Sequence, residues 1–561
     1  MKYEDILHRI GGYGKYQKII VGLLVLSSIP NGLFTMVTVF ILDTPSHHCY
    51  VDFAKYNLTK LTETGRELWL DQLIPWEHNE DGELVRSQCK KYAPEFNKTS
   101  INSTNTKNRT IIPCDGGWTF YPMWAETTVV MELNWVCDDA WKKPSVISLY
   151  MAGILLGSLV SGVLSDRYGR RPVFLWGTFL QFVSMFCNGF CNNSALFTAT
   201  MFMAGCTALI NYVAAFVIVT EIVDSSKRAL VGSLEVGGFT IGYMLLPAAA
   251  WYLTNWRWLM WFMGALGVLF IPYYWLIPES PRWLIINGKE GAKQIILKIA
   301  KTNGKSLQEE DLLSLNKVKM DKDSTDGTEE QFTYLDLFRH PSIRRRSFLM
   351  FLIWFTASMV YYCISLGTSD LGGNKFVNCF VAAAVEIPAY VSSYFLMEKF
   401  GRRTILSSYL ILGGIACAAA PFFSSISESL MIASSMISKF SVTGVFSIIY
   451  IFCCEMFPTK MRNMSVGASS TMARVGAIAA PYLIFAGESV SRYIPYLVMG
   501  GFSVMAGLST LLLPETLKVP LPETLKDSVD LDKYNIRLCK KRNAESECLH
   551  QMQETRHEEK I

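Results

Sequence analysis

Long unbroken apolar stretches, rather than an amphipathic period, organise this chain. Ile19 to Leu42, Val146 to Leu164, Leu230 to Leu253, Trp258 to Ile277 and Phe348 to Leu366 approach or exceed the roughly 20 residues a helix needs to cross about 30 Å of hydrocarbon. Breaking the rest of the chain at its charged clusters yields further spans near 173–190, 195–219, 375–397, 404–424, 428–453, 463–486 and 491–513, twelve in all. The pattern predicts an all-α membrane protein of twelve transmembrane helices. Composition agrees, because 561 residues of which 50% are hydrophobic and only 18% charged do not suit a water-soluble surface. The first apolar run exceeds a signal-peptide core and lacks a small-residue cleavage site, so it is expected to stay as the first span.

A net charge of +4 gives no footprint for a nucleic-acid partner; what matters is where the charge sits. Asp166 to Arg171, Ser226 to Arg228, Glu398 to Arg403 and Thr459 to Arg462 fall between spans on one side, with the mildly basic stretch 278–346 and the tail. The opposite short loops are nearly free of Lys and Arg, so both termini are expected in the cytoplasm. Residues 43–144 then lie outside, and this segment carries sequons at Asn57, Asn97, Asn102 and Asn108, read as glycosylation sites of a plasma-membrane protein. It also holds Cys49, Cys89, Cys114 and Cys137, an even number in an oxidising compartment. Two disulfides are expected there, with three pairings open. The other ten cysteines read as reduced apolar residues.

The chain is an internal duplication. Asp166-Arg167-Tyr168-Gly169-Arg170-Arg171 returns as Glu398-Lys399-Phe400-Gly401-Arg402-Arg403, the Glu221/Arg228 pair as Glu455/Arg462, and Pro278-Glu279-Ser280 as Pro514-Glu515-Thr516. The offsets, 232, 234 and 236, are nearly constant. The expected organisation is an N-terminal six-helix half over 1–277 including the outer loop 43–144, a central loop over 278–346, a C-terminal half over 347–515 and a tail over 516–561. Parallel-repeat carriers of this kind hold substrate between the halves near the bilayer midplane.

Gly162-Val-Leu-Ser-Asp-Arg-Tyr-Gly-Arg-Arg171 resembles the loop signature of the major facilitator superfamily. Asp166, Arg167, Gly169, Arg170, Arg171, Glu221 and Arg228, with Glu398, Gly401, Arg402, Arg403, Glu455 and Arg462, are read as a cytoplasmic gate whose acids and bases pair across the seam between the halves. The plain alternative is that these arginines only set topology. Pro278 to Leu284, Asn211 to Phe216, Glu455 to Thr459 and Arg462-Asn463-Met464, with the Cys-rich loop, resemble the organic cation, anion and carnitine transporter family of that superfamily. Ile29 to Gly32, Phe376 to Phe380 and Val385 to Tyr390 resemble its carnitine and zwitterion branch.

Ionisable residues inside spans are costly and mark cavities or partners; here they are Glu386, Lys439 and Arg474, with Glu235 nearer the cytoplasmic end. The family's pure cation carriers resemble one another in an Asp at the position of Arg474. Arg474 suits a carboxylate, Glu386 an ammonium, and Tyr212, Trp354, Tyr361 and Tyr362 its methyl groups. The competing reading is that Arg474, Glu386 and Lys439 neutralise one another as an interhelical lock. The branch resemblance implies sodium as coupling ion, with Asn31 and Asn211 as candidate ligands or, alternatively, interhelical hydrogen-bonding groups. The sequence holds no nucleotide-binding loop, metal cluster or nucleophile and base constellation, so no cofactor other than that ion and no enzymatic activity is expected. The expected function is secondary transport of a small organic cation or zwitterion. An organic anion carrier, a sodium-independent polyspecific cation carrier and a channel are the alternatives.

Overall fold

The protein is represented by a computed structural model that describes residues 3–52, 63–78, 84–93, 110–124, 126–289, 291–305, 333–517, 519, 521–523, 527–529 and 531. The four sequon asparagines, Asn57, Asn97, Asn102 and Asn108, lie outside the described residues.

Twelve helical passages follow one another along the described chain. In the first half they are Lys15–Met36 prolonged by Thr38–Ile41, Lys142–Tyr168, Arg170–Asn188, Ser194–Ile222, Arg228–Tyr252, and Trp256–Ala265 continuing to Leu276. In the second they are Pro341–Leu366, Lys375–Ala384 with Glu386–Phe400, Arg402–Phe423, Glu428–Met456, Thr459–Ser489 and Tyr493–Thr510. They are numbered one to twelve below. Among the described residues nine are long and apolar enough to cross a membrane unaided. The third, eleventh and twelfth fall short on composition: the third opens on Arg170 and Arg171, the eleventh carries Arg462 and Arg474 among many small polar residues, and the twelfth is interrupted by Gly, Ser and Pro.

Close helix approach depends on glycine. A Cβ on Gly153 or Gly157 of the second span would strike the backbone of Phe202 or Cys206 in the fourth, and Gly205 faces Tyr150 in return. Gly32 and Gly242 do the same between the first and fifth spans, and Gly476 between the eleventh and seventh. Without water to expel, backbone contact of this kind supplies the van der Waals packing that holds membrane helices together. Outward, the surface is apolar and aromatic, with Trp176, Tyr252, Trp258, Trp275 and Phe395 all exposed, as lipid contact demands.

The eighth span is broken between Ala384 and Glu386. Pro388, two residues beyond, cannot donate to the preceding turn, so the helix restarts at Glu386 with a carboxylate at its new N-terminus. Pro30 likewise weakens the helical ladder beside Asn31.

The described residues between 43 and 144 include three two-stranded antiparallel sheets, among them Ser46–Cys49 against Trp118–Tyr121. Disulfides join Cys49 to Cys114 and Cys89 to Cys137, resolving the three open pairings. The Cα separations, 5.2 and 5.6 Å, are ordinary for such bonds. Glu132 fastens this unit to the sixth span by accepting from Trp256 Nε1 at 2.8 Å and Arg257 Nε at 3.1 Å. Hydrogen bonding to Arg257 holds the Glu132 carboxyl below the usual glutamate range. At the opposite end, short helices Pro281–Ile286 and Ala292–Thr302 pack beneath the first half, and Asn303 closes on the start of the first span through Ile10 and Tyr16.

Candidate substrate site

Four spans meet at a fully buried ion pair. Glu386 of the eighth span and Lys439 of the tenth are both 0% exposed, and Lys439 Nζ lies 2.9 Å from Glu386 Oε1. The hydroxyl of Tyr361, on the seventh span, donates to the same oxygen at 2.7 Å, and Thr240, on the fifth, donates to Oε2 at 2.9 Å. Lys439 donates to Ser365 Oγ at 2.6 Å and stands 3.4 Å from the centre of the Tyr361 ring. A buried charge pair is tolerable only when its remaining lone pairs and protons are satisfied in this manner. Of the two readings of Glu386, ammonium recognition and interhelical lock, the arrangement seen here is the lock. Tyr361 belongs to it rather than to an open cage. Thr240 makes the lock span the two halves, a partner that sequence reasoning did not single out.

Arg474 takes no part in that lock. It is half-buried on the eleventh span, its guanidinium sits beside the Tyr362 hydroxyl, and its Nε has no partner. Among the described residues no carboxylate forms an ion pair with it. Tyr212 on the fourth span lies within electrostatic reach of Arg474. Trp354 packs edge-on against Tyr450 with ring centroids 4.5 Å apart, and Tyr361 packs edge-on against Tyr362 at 5.3 Å. The structure therefore gathers Arg474, Tyr362, Tyr450 and Tyr212 at the interface of the halves, with one unsatisfied cation among aromatic rings.

Asn31 and Asn211 are brought together by a third residue. Gln181 of the third span donates from Nε2 to Asn31 Oδ1 at 2.7 Å and accepts at Oε1 from Asn211 Nδ2 at 2.9 Å. All three are buried, and Asn211 Oδ1 and Asn31 Nδ2 have no partner. This is the interhelical hydrogen-bond arrangement, with Asn211 Oδ1 the carbonyl oxygen left free. Gln181 was missed because a lone Gln on an apolar span carries no spacing signal.

The paired clusters form within each half, which corrects the expectation of pairing across the seam. Arg170 bonds Asp166 at 2.9 Å and Glu221 at 3.3 Å; Arg402 bonds Glu398 at 3.0 Å and Glu455 at 3.3 Å. The acid four residues before each Arg shares its loop, and Glu221 and Glu455 end the fourth and tenth spans beside it, so the in-half partners are the near ones. Arg228 and Arg462 donate from Nε to the carbonyls of Thr220 and Cys454, at 3.0 and 2.8 Å. Arg167 lies over the Tyr168 ring at 5.5 Å.

The third repeated motif explains the glycine of the first. Gly169 and Gly401 have φ of +107° and +98°, and a Cβ at either would strike Glu279 or Glu515. Glu279 accepts from the backbone N–H of Arg170 at 2.9 Å and Arg171 at 3.1 Å; Glu515 accepts from Arg402 at 2.8 Å and Arg403 at 3.4 Å. Each carboxylate thus caps the helix that the cluster opens. Arg171 and Arg403 donate to the carbonyls of Tyr274 and Leu513.

Besides the Thr240–Glu386 contact, the ion pairs that cross the seam among the described residues lie at the end bearing the disulfide-bonded segment. Lys143 at the start of the second span meets Glu488 near the end of the eleventh at 2.8 Å. Ser145 bonds Tyr482 at 3.0 Å, and Ser148 donates to the Ile478 carbonyl at 2.8 Å. Lys375 of the eighth span pairs with Asp43 at 2.7 Å and with Glu126. Both ties were missed in the sequence, where their members are isolated loop charges.

Two six-helix halves carrying the same repeated motifs and tied together at one end by ion pairs define a membrane transporter. A family profile for the Major Facilitator Superfamily matches residues 118–481 and 379–543. The chain is 36% identical over 532 residues to the human organic cation/carnitine transporter 2, covering 93% of each chain. It is 35% identical to an organic cation transporter protein of Drosophila melanogaster, covering 95% of each. Among solved structures it is similar to the inward-open xylose transporter XylE of E. coli, with a TM-score of 0.56, 13% identity, and 90% of this chain and 98% of that one covered. This chain belongs to the organic cation/carnitine transporter family of the major facilitator superfamily, and like the rest of that family it is a carrier, not an enzyme.

Proposed function

We propose that this carrier moves small organic cations and zwitterions of the carnitine kind across the plasma membrane, with both termini and the Arg/Glu clusters in the cytoplasm and residues 43–144 outside. The observation that carries the reading is the Arg474 guanidinium, unpaired beside Tyr362 at the interface of the halves. In a low-dielectric site such a group favours a carboxylate and repels a simple cation. The likeness to organic cation/carnitine transporters supports the substrate class.

In this orientation the Lys143–Glu488 and Lys375–Asp43 ties close the extracellular side, and the in-half pairing of Arg170 and Arg402 leaves the cytoplasmic side unlatched. Turnover then consists of breaking the outer ties and bringing the cytoplasmic ends together around the bound solute. The lock of Glu386, Lys439 and Thr240 joins the halves at mid-bundle and is the point about which they rock.

Sodium is the proposed coupling ion, with Asn31, Gln181 and Asn211 as its oxygen donors once the amides reorient. One inward charge gains roughly 2.3 kcal/mol per 100 mV of membrane potential, enough to drive uphill uptake. Uptake of carnitine, a tetraalkylammonium ion and a hydrophobic organic anion into vesicles, with and without sodium, tests all of this. Sodium-stimulated carnitine uptake that accelerates on preloading with unlabelled carnitine is expected. Anion uptake alone would overturn the substrate class, and flux that neither saturates nor responds to preloading would indicate a channel.

A further inference from the structure

We propose that Glu235 is the carboxylate that receives the cationic end of the solute, the counterpart of Arg474 in one dipolar site formed by both halves. The inference rests on the carrier reading above and deepens it by assigning the cation subsite.

Glu386, the obvious acid in the sequence, is already occupied. Its two oxygens accept from Tyr361 and Thr240 and it pairs with Lys439, so an ammonium group would have to displace a fully buried lysine to reach it. Glu235 on the fifth span is the opposite case. It is 1% exposed, and neither carboxyl oxygen has a partner. Among the described residues no cation pairs with it. An isolated buried carboxyl is among the costliest groups a membrane bundle can carry, and such groups mark ligand or ion paths.

Tyr212 relates this acid to Arg474. Its hydroxyl lies within electrostatic reach of both Glu235 and Arg474, and the residue is half-buried. A buried carboxyl with no hydrogen-bond partner, on the fifth span of the first half, and a guanidinium with no carboxylate partner, on the eleventh span of the second, are thus both close enough to one tyrosine to act on it. That is the complement of a small molecule with a carboxylate at one end and a quaternary ammonium at the other, the ring face suiting the methyl groups. A simple organic cation would use Glu235 and the ring without Arg474. Glu235 lies seven residues, about 10 Å, along its helix from Arg228, so it is the first buried acid met from the Arg/Glu cluster end. Because each charge belongs to a different half, a zwitterion bridges the halves and an empty site does not. This gives the loaded carrier a reason to close.

The test is uptake by full-length protein in liposomes, comparing wild type with Glu235→Gln, Glu235→Asp and Glu386→Gln. The probes are carnitine, tetraethylammonium and a short monocarboxylate as competitor. Glu235→Gln should raise KM for carnitine and tetraethylammonium at least about thirtyfold while leaving the inhibition constant of the monocarboxylate unweakened. Glu235→Asp, which keeps the charge but withdraws it by one methylene, should raise KM for the two cations alone and by less. An unchanged KM for both cations, or a weakening shared equally by all three probes, overturns the assignment. Thermal unfolding of each variant in detergent identifies a fold defect, and if Glu235→Gln does not fold, the charge selectivity of Glu235→Asp decides. Wild-type liposomes that take up neither cation overturn the carrier reading itself, an outcome visible before any variant is made.

Discussion

Lys143 and Glu488, 345 residues apart in the chain, meet at 2.8 Å across the interface of the two halves. Their side chains are 15% and 33% exposed, so the pair is dry enough to matter and wet enough to break. With Lys375 and its two carboxylates it closes the end of the bundle that carries the disulfide-bonded loop unit. Neutralising Lys143 should therefore weaken the closed outer end without touching the solute. Lys143→Ala is expected to speed labelling of a cysteine placed near Thr38 or Ile147 and to leave substrate affinity unchanged. A Lys143→Glu, Glu488→Lys exchange should restore the wild-type labelling rate; if it does not, the pair is incidental.

The second tie is sensitive to acid. Burial, aided by Asp43 and opposed by Lys375, raises the Glu126 carboxyl above the usual glutamate range. One ammonium between two carboxylates leaves an excess negative charge that a proton on Glu126 removes. The pKa is higher in this closed arrangement than it would be after opening to water, so the closed end holds the proton more tightly. Its stabilisation is full below the ordinary glutamate value and is lost as pH rises through the raised one. Lowering the outside pH from about 7.5 to about 5 should slow carnitine exchange, and Glu126→Gln should flatten that dependence. A profile identical in wild type and variant would remove Glu126 from the gate.

Removing one partner of a buried pair leaves the other uncompensated. Lys439→Met should cost about 3–5 kcal/mol of stability, because Glu386 is left fully buried with only the Tyr361 and Thr240 hydroxyls. The double variant Lys439→Met, Glu386→Gln should recover most of it, and thermal unfolding in detergent reads both. Independent, additive losses would show that the two residues do not act as one lock.

Arg474→Ala should lose zwitterions by about thirtyfold or more in affinity, and Arg474→Asp should shift preference toward simple cations. The guanidinium repels ammonium and attracts carboxylate, so reversing its sign reverses both effects. Carnitine transport with unaltered KM in a correctly folded Arg474→Ala would leave Arg474 no role in substrate recognition.

The loop unit makes a chemical prediction. Cys49→Ser should free one thiol, Cys114, to alkylation and leave Cys89 and Cys137 protected. Labelling at Cys89 instead would contradict the pairing. Glycosidase should lower the mass of surface protein if the sequons at Asn57, Asn97, Asn102 and Asn108 carry glycans.

Much of the fold was legible because lipid imposes one-dimensional rules. A span must be long and apolar, and its backbone must be satisfied within the helix, so Ile19 to Leu42 or Phe348 to Leu366 reads directly. The three spans that are weaker by composition were found from the spacing between charged clusters. The duplication pointed to Glu279 and Glu515 without stating their task, since a helix cap is a contact between the sixth-span exit and the third-span entry and leaves no local pattern. Glu386, Lys439 and Arg474 stood out because charge in an apolar run is rare.

The sequence by itself determined the twelve-span plan, the two repeated halves, the position of the loop unit and the charges inside apolar spans, Glu235, Glu386, Lys439 and Arg474, each a matter of composition along one dimension. Partnership was decided only in three dimensions. Lys439 chose Glu386 and left Arg474 unpaired, Gln181 joined Asn31 to Asn211, and Arg170 and Arg402 turned to acids of their own halves. A charge buried in a membrane bundle takes whichever partner helix packing brings within about 3 Å, and packing is set by where glycines let backbones touch, a property of surfaces that no single span contains.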